Sequence, residues 1–230
     1  MIDSHCHLYE IPEEEWVDNG LEAMVCAGAD VETSEKAIEL AEKHPNVYAT
    51  AGIHPEGMGK LRDLSALLEM TKKPKVVAVG ECGLDTGSEA EIELFKFNIN
   101  LAKETGLPVV VHCRNMFDRV FEVLNYDKVQ MHCFTGNEEE MRECVRRGWY
   151  ISFGGILTFK KSEYSREVAR LVPEDKLLIE TDSPYLAPEP VRGTRNTPVN
   201  VKYVLDCLTK VRGTRVEQIT SENARRLFGL

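Results

Sequence analysis

The chain has 230 residues, 43% of them hydrophobic and 29% charged, with a formal net charge of −10; this is the composition of a soluble globular protein able to bury one large core. No apolar run approaches the ~18–20 residues of a membrane span, no basic-then-apolar leader opens the sequence, and the acidic balance argues against a broad electrostatic hold on nucleic acid. The seven cysteines are odd in number, scattered and free of any CxxC pair, which argues against a thiolate zinc site and for reduced thiols in a cytoplasmic setting.

Short apolar or β-branched runs lie near residues 1–4, 22–28, 47–52, 76–81, 108–112, 128–132, 149–153 and 177–181, lengths that suit buried parallel strands. After the first of them, residues 11–19 form a short connection in which Pro12 suits a first helical turn and Glu13–Glu15 its positive end. Helical spacing follows in 33–44 (Ala37, Leu40, Ala41), in 90–106 (Leu94, Phe97, Leu101, Ala102) and in 137–147 (Met141, Cys144, Val145), each with charge on the opposite face. The segment 214–228 reads as a closing helix with Thr214-x-x-Glu217 as a capping box. Alternating strand and helix units imply a parallel sheet with right-handed crossovers. Eight such units point to a (β/α)8 TIM barrel, and no linker or low-complexity tract divides residues 1–230, so a single domain is expected. An open doubly wound sheet is the competing architecture.

Active sites of such barrels lie at the C-terminal ends of the strands. His5 and His7 end the first predicted strand, His54 follows the third, Glu81 ends the fourth, His112 the fifth, His132 the sixth and Asp182 the eighth. Five of the six histidines therefore gather at one rim. Within His5-Cys6-His7 the two imidazoles share a face, because side chains alternate with period two; alone, the pair is equally compatible with two packed histidines. Glu81 closes an apolar strand where an unpaired acid is costly, so it either bridges ions or pairs with a rim arginine. His112 and His132, on neighbouring strands beside that carboxylate, favour a metal over a core role. Asp182 can ligate an ion and accept a proton from water, with Glu180 as a supporting partner. Cys6, Cys82, Cys113 and Cys133 each follow a proposed ligand, and alternation points their thiols toward the helices. Four imidazoles and two carboxylates suit one or two divalent ions, zinc, manganese or iron, with magnesium less well matched.

The motifs Asp3-Ser4-His5-Cys6-His7, Gly52-Ile53-His54-Pro55, Gly80-Glu81-Cys82-Gly83-Leu84-Asp85 and Val111-His112-Cys113-Arg114 occur in this order. They continue with His132-Cys133-Phe134-Thr135-Gly136, Glu180-Thr181-Asp182-Ser183-Pro184-Tyr185-Leu186, Arg192-Gly193-Thr194-Arg195-Asn196 and Asn223-Ala224-Arg225-Arg226-Leu227-Phe228. Together they resemble the TatD family of metal-dependent hydrolases almost end to end. The resemblance implies a two-metal centre and phosphodiester hydrolysis, commonly as a deoxyribonuclease. It implies that His5, His7 and Asp182 hold one ion, that His112 and His132 hold the other, and that Glu81 bridges. Three departures touch the rim: the brief Thr86-Gly87-Ser88 where the family usually carries a longer segment, Asn98 where a glutamine is common, and Thr197 where an acid usually follows the arginine loop.

On this reading a water activated between two ions attacks phosphorus, and Asp182 accepts or relays its proton. Arg114, Arg192 and Arg195 are candidates for holding phosphate oxygens, and His54 for a phosphate or supporting contact. The substrate expected is DNA or a small phosphodiester, with short or single-stranded ends favoured by the acidic charge; no membrane and no obligate protein partner is expected. The rival readings are an amidohydrolase cleaving an amide or lactone, in which a modified lysine rather than Glu81 is usual on the fourth strand, and a metal-binding scaffold without catalysis.

Overall fold

Eight parallel strands follow one another in chain order in the computed structural model, which describes residues 1–60 and 64–230. They are β1 (Ile2–Cys6), β2 (Ala23–Cys26), β3 (Val47–Ala51), β4 (Val76–Leu84), β5 (Val109–Cys113), β6 (Val129–Met131), β7 (Tyr150–Phe153) and β8 (Leu177–Ile179). The seam between β8 and β1 is narrow. Asp182 N–H donates to the His5 carbonyl at 2.9 Å and His7 N–H to the Ser183 carbonyl at 2.7 Å. Below them the buried Asp3 carboxylate accepts from Thr181 N–H at 2.8 Å and from its hydroxyl at 2.5 Å. With this seam the sheet becomes the expected (β/α)8 barrel.

The outer ring comprises α1 (Val31–Lys43), α2 (Leu64–Met70), α3 (Glu89–Thr105), α4 (Phe117–Val123), α5 (Glu138–Arg146), α6 (Glu163–Leu171), α7 (Val201–Arg212) and α8 (Glu217–Phe228). Their starts are set by local chemistry. Asp30 with Thr33 and Asn137 with Glu140 form capping boxes for α1 and α5, and Ser88 caps α3; each cap contributes about 1 kcal/mol. Two expectations fail. Residues 11–19 make only a 3-10 turn at Glu13–Glu15, with Pro12 outside it, because Trp16 leaves the turn at once for the core. Thr214 does not cap the last helix: α8 begins at Glu217 behind Val216, with no side-chain cap. The Glu217 carboxylate is engaged instead by Arg215 at 3.0 Å and lies 3.8 Å from the Met1 amine.

The barrel interior is layered. At the N-terminal end Ile2, Val25, Val77, Val110 and Leu178 form an apolar floor, closed from outside by Ala224, Leu227 and Phe228 of α8. Above it lies a polar layer in which Gln130 donates to both Ser4 and Glu180 at 2.9 Å, and Ser4 meets Ser152 at 3.2 Å. The histidines and carboxylates occupy the top. A larger apolar layer fills the space between strands and helices. No described helix is long and apolar enough to cross a membrane.

Candidate metal centre

Two backbone irregularities aim the candidate ligands. Between Asp3 and Cys6, β1 spends one residue more than β2, and between Val79 and Cys82, β4 spends one more than β5. Such bulges switch the parity of a strand. Ser4 therefore points into the polar layer while His5, the next residue, also reaches the interior, and Glu81 is carried over the axis. Beyond Glu81, β4 and β5 lie so close that a Cβ on Gly83, at φ +146°, would collide with the His112 carbonyl. Asp182 sits in the left-handed region at φ 56°, a conformation that aspartate tolerates better than most residues and that turns its carboxylate toward β1.

Glu81 is the hub, and its two oxygens serve different groups. Oε2 lies 3.3 Å from His5 Nε2 and 3.6 Å from His7 Nε2. Oε1 lies 3.0 Å from His132 Nε2, 3.3 Å from His112 Nδ1 and 3.6 Å from His54 Nε2. Asp182 Oδ1 completes the first group, 3.6 Å from His5 Nε2 and 3.5 Å from His7 Nε2. The atoms of His5, His7 and Glu81, of His5, His132 and Asp182, and of His54, Glu81 and His112 each fall within 4.8 Å of one another.

The outer nitrogens of His7, His112 and His132 are fixed by partners that leave the inner ones free to ligate, the arrangement usual around metal-binding imidazoles. His132 Nδ1 faces Glu180 Oε1 at 3.1 Å, His7 Nδ1 faces the Ala27 carbonyl at 3.1 Å and the Tyr9 hydroxyl at 3.0 Å, and His112 Nε2 faces Asp85 Oδ1 at 3.3 Å. His54 differs. Its Nδ1 accepts from Glu56 N–H at 3.2 Å, so in the neutral ring the proton sits on Nε2, which points inward as a donor rather than as a ligand. His5 Nδ1 is buried with no hydrogen-bond partner.

Electrostatics within the cluster run against burial. Burial works to raise Glu81, yet the imidazoles of His132, His5 and His112 hold it well below the carboxylate range. For His132, burial disfavours charge but Glu81 and Glu180 hold the ring well above the ordinary imidazole value. His7 is likewise raised by Asp182 and Glu81 against the effect of burial. Asp182 is raised by burial but brought lower overall by His7 and His132, while burial keeps His5 and His54 low. The carboxylates are thus ionised and balanced by protons on imidazoles. A cation can take the place of those protons, and no arginine or lysine pairs with Glu81 among the described residues. The donor set fits divalent ions.

The cluster opens into a cavity of about 650 Å³. Arg114 lines it, 3.5 Å from Asp85. Arg192 and Arg195 are not brought to it: Arg192 stacks on Phe159 at 4.1 Å, and Arg195 pairs with Glu15 at 2.6 Å. Cys6 and Cys82 face the outer apolar layer as alternation requires. Cys133 does not; β6 has ended, its φ is 45°, and it lines the cavity. Two departures have structural accounts. The brief Thr86-Gly87-Ser88 loop wraps the Glu91 carboxylate, which accepts from Asp85, Thr86 and Gly87 N–H at 2.9–3.0 Å. Asn98 clamps Ile53, accepting from its N–H at 3.1 Å and donating to its carbonyl at 3.2 Å, which positions the neighbouring His54. The sequence pattern leaves Tyr9, Asp85, Glu91 and Asn98 without these roles; only Glu180 is marked as a partner, by its spacing from Asp182.

The profile of the family described as TatD related DNase matches residues 2–229. YabD of Bacillus subtilis (strain 168), named an uncharacterized metal-dependent hydrolase, is 38% identical over 99% of this chain and 98% of its own. The 3'-5' ssDNA/RNA exonuclease TatD of Citrobacter rodentium (strain ICC168) is 34% identical over 92% of this chain and 88% of its own. The crystal structure of YJJV, a TatD homolog from Escherichia coli K12, superposes with a TM-score of 0.88 at 27% identity, covering 100% of this chain and 98% of that one. With barrel and sequence in agreement, the chain belongs to the TatD-related DNase family of metal-dependent hydrolases.

Proposed function

We propose that this site holds two divalent ions and hydrolyses phosphodiesters at the ends of short single-stranded DNA. His5, His7 and Asp182 would hold one ion, His112 and His132 the other, with Glu81 shared between them. The observation that carries this reading is the division of labour at Glu81, whose Oε2 faces His5 and His7 while Oε1 faces His112 and His132. Four imidazoles favour zinc or manganese over magnesium. When bound, such ions supply Lewis-acid neutralisation of charge on the phosphoryl group and lower the pKa of water. Asp182, kept ionised by His7 and His132, accepts the proton of the attacking water. His54 Nε2–H donates to a phosphoryl oxygen, and the exposed Arg114 guanidinium meets a non-bridging oxygen of the same or the adjoining phosphate. The exonuclease name of the Citrobacter relative supports the substrate class.

The test is hydrolysis of an end-labelled single-stranded DNA by protein stripped of metal and reloaded with magnesium, manganese or zinc, beside Glu81→Gln. Stepwise shortening is expected from the wild type, with metal content near two ions per chain; Glu81→Gln is expected to lose both the second ion and the activity. A fully loaded wild type that leaves the DNA intact, or a Glu81→Gln protein that keeps two ions and full rate, would refute the reading.

A further inference from the structure

Four large apolar side chains are exposed among the described residues: Val17, Tyr164, Leu171 and Tyr185. Of these only Tyr185 lines the metal-site cavity, and 49% of it is exposed. It is nevertheless held in place. Its hydroxyl donates to Glu10 Oε2 at 2.6 Å, its N–H donates to the Asp182 carbonyl at 2.9 Å, and its carbonyl accepts from Asn196 Nδ2 at 2.7 Å. Asn196 is buried and also donates to the Thr181 carbonyl at 2.9 Å. The Arg192-Gly193-Thr194-Arg195-Asn196 motif, whose arginines stay outside the cavity, thereby fixes the backbone that presents Tyr185. The ring meets His7 edge-on, with centroids 5.8 Å apart and planes at 71°. Ile156 and Leu186 line the same cavity.

Charge around the cavity limits what the ring can serve. Arg114 is the only lysine or arginine among its described lining residues, whereas Glu10, Asp30, Glu56 and Asp85 are all there. A long polyanion that tracks a groove needs a row of cations, and sequence-tolerant binding of single strands combines such cations with aromatic faces. Here, apart from the ions proposed for the centre, Arg114 is the single cationic side chain of lysine or arginine type, and Tyr185 is a rigid, half-exposed ring beside the carboxylate Asp182, with the more buried Tyr9 also lining the cavity. That complement matches one nucleotide unit rather than an extended strand.

We propose that Tyr185 is the stacking platform for the nucleobase adjoining the scissile phosphate, so that the enzyme selects a terminal nucleotide by the π face of its base. The proposal rests on the phosphodiesterase reading above and adds the group that recognises the substrate. Stacking accepts every base, because each has a π face; discrimination falls between a nucleotide that carries a base and one that does not. The hydroxyl–Glu10 bond sets the plane of the ring, and the ring itself supplies the contact. If Tyr185 only shielded His7, the presence of a base on the substrate would be irrelevant to it.

The experiment compares two end-labelled trinucleotides, one intact and one with an abasic sugar at the terminal position, in the metal-loaded wild type, Tyr185→Ala and Tyr185→Phe. KM is read for cleavage, and binding is read separately by fluorescence polarisation. The wild type should prefer the intact end by about tenfold or more, the range of a single base–aromatic stack. Tyr185→Ala should bring that ratio close to one, and Tyr185→Phe should retain most of it; circular dichroism and metal content establish that both variants fold and load. A ratio in Tyr185→Ala equal to that of the wild type overturns the platform while hydrolysis stands. A wild type that cleaves neither trinucleotide removes the nuclease reading instead, and the polarisation ratio still decides whether Tyr185 holds a base.

Discussion

Glu180 lies fully buried beneath the centre, and replacing it by glutamine removes one charge at almost constant volume. Its Oε1 accepts from Cys133 N–H at 2.6 Å and faces His132 Nδ1 at 3.1 Å, and its Oε2 accepts from Gln130 at 2.9 Å. A glutamine oxygen can keep the first two contacts. Its new NH2 can be accepted by Gln130 if that amide turns over, since Gln130 Oε1 has no partner; the fold should therefore lose only about 1 kcal/mol. The effect should fall on the metal. The carboxylate orients His132 and raises its basicity, and losing such a partner typically weakens metal affinity by about 10–100-fold, or roughly 1.4–2.7 kcal/mol. Glu180→Ala is the contrast: it removes the acceptor of His132 Nδ1 and of Cys133 N–H and one of the two acceptors of Gln130 Nε2, at about 1–3 kcal/mol for each buried donor left unpaired, and opens a void, so it should unfold the protein well before it reports on metal. Competition with a chromogenic chelator gives the affinity, and thermal denaturation of stripped and loaded protein gives the stability. Wild-type affinity in a folded Glu180→Gln would refute the claim that the charge on Glu180, beyond its hydrogen bond to Nδ1, strengthens His132 as a metal-binding group.

Gly83→Ala should destabilise the protein by about 1–3 kcal/mol, because the added methyl meets the His112 carbonyl on the neighbouring strand; an unchanged melting temperature would mean that β4 and β5 can separate at the rim without cost. The pH dependence should differ between stripped and loaded protein. His132 and His7 are raised above 6.5 in the folded state, so in stripped protein their contribution is complete below that value and is lost as pH rises through their folded values. Glu81 and Asp182 are lowered, so their contribution is present above the ordinary carboxylate range and is lost only as pH falls through their depressed values. Cations compete with the imidazole protons, so affinity rises with pH. The gap between the melting temperatures of loaded and stripped protein should therefore widen from about pH 6 to about pH 8, and a gap that narrows over that range would contradict the exchange of protons for metal.

The clustering of the candidate ligands could be read because each lies at or just beyond a short apolar run, and a barrel turns that position into a point on one rim. What surrounds them could not. The parity of His5 and Glu81 depends on one extra residue in β1 and one in β4, and a bulge leaves no mark in a hydrophobic pattern. The partners that orient the imidazoles come from other strands or from backbone, such as the Ala27 carbonyl at His7 and Glu180 at His132, and spacing says nothing about them. Arg192 and Arg195 show the limit of motif proximity: both lie near Asp182 in sequence, yet one stacks on Phe159 and the other pairs with Glu15. Among the helices, α4 spans only seven residues and α6 nine, with two buried residues in each, and the expected elements omit both. Val201, Val204, Leu205 and Leu208 of α7 form a buried stripe, and the expected elements omit it too.

The narrow seam between β1 and β8 has a consequence for how the molecule holds together. Two backbone hydrogen bonds and the Asp3 carboxylate join the strands there, and the residues donating and accepting those bonds are His5, His7 and Asp182 or their immediate neighbours. Any ligand gripped at once by His5 and Asp182 therefore ties together two segments separated by most of the chain, and its binding energy appears as ring closure. Occupancy of the centre and integrity of the barrel become one equilibrium, so the seam should be where amide exchange slows most when the centre is filled.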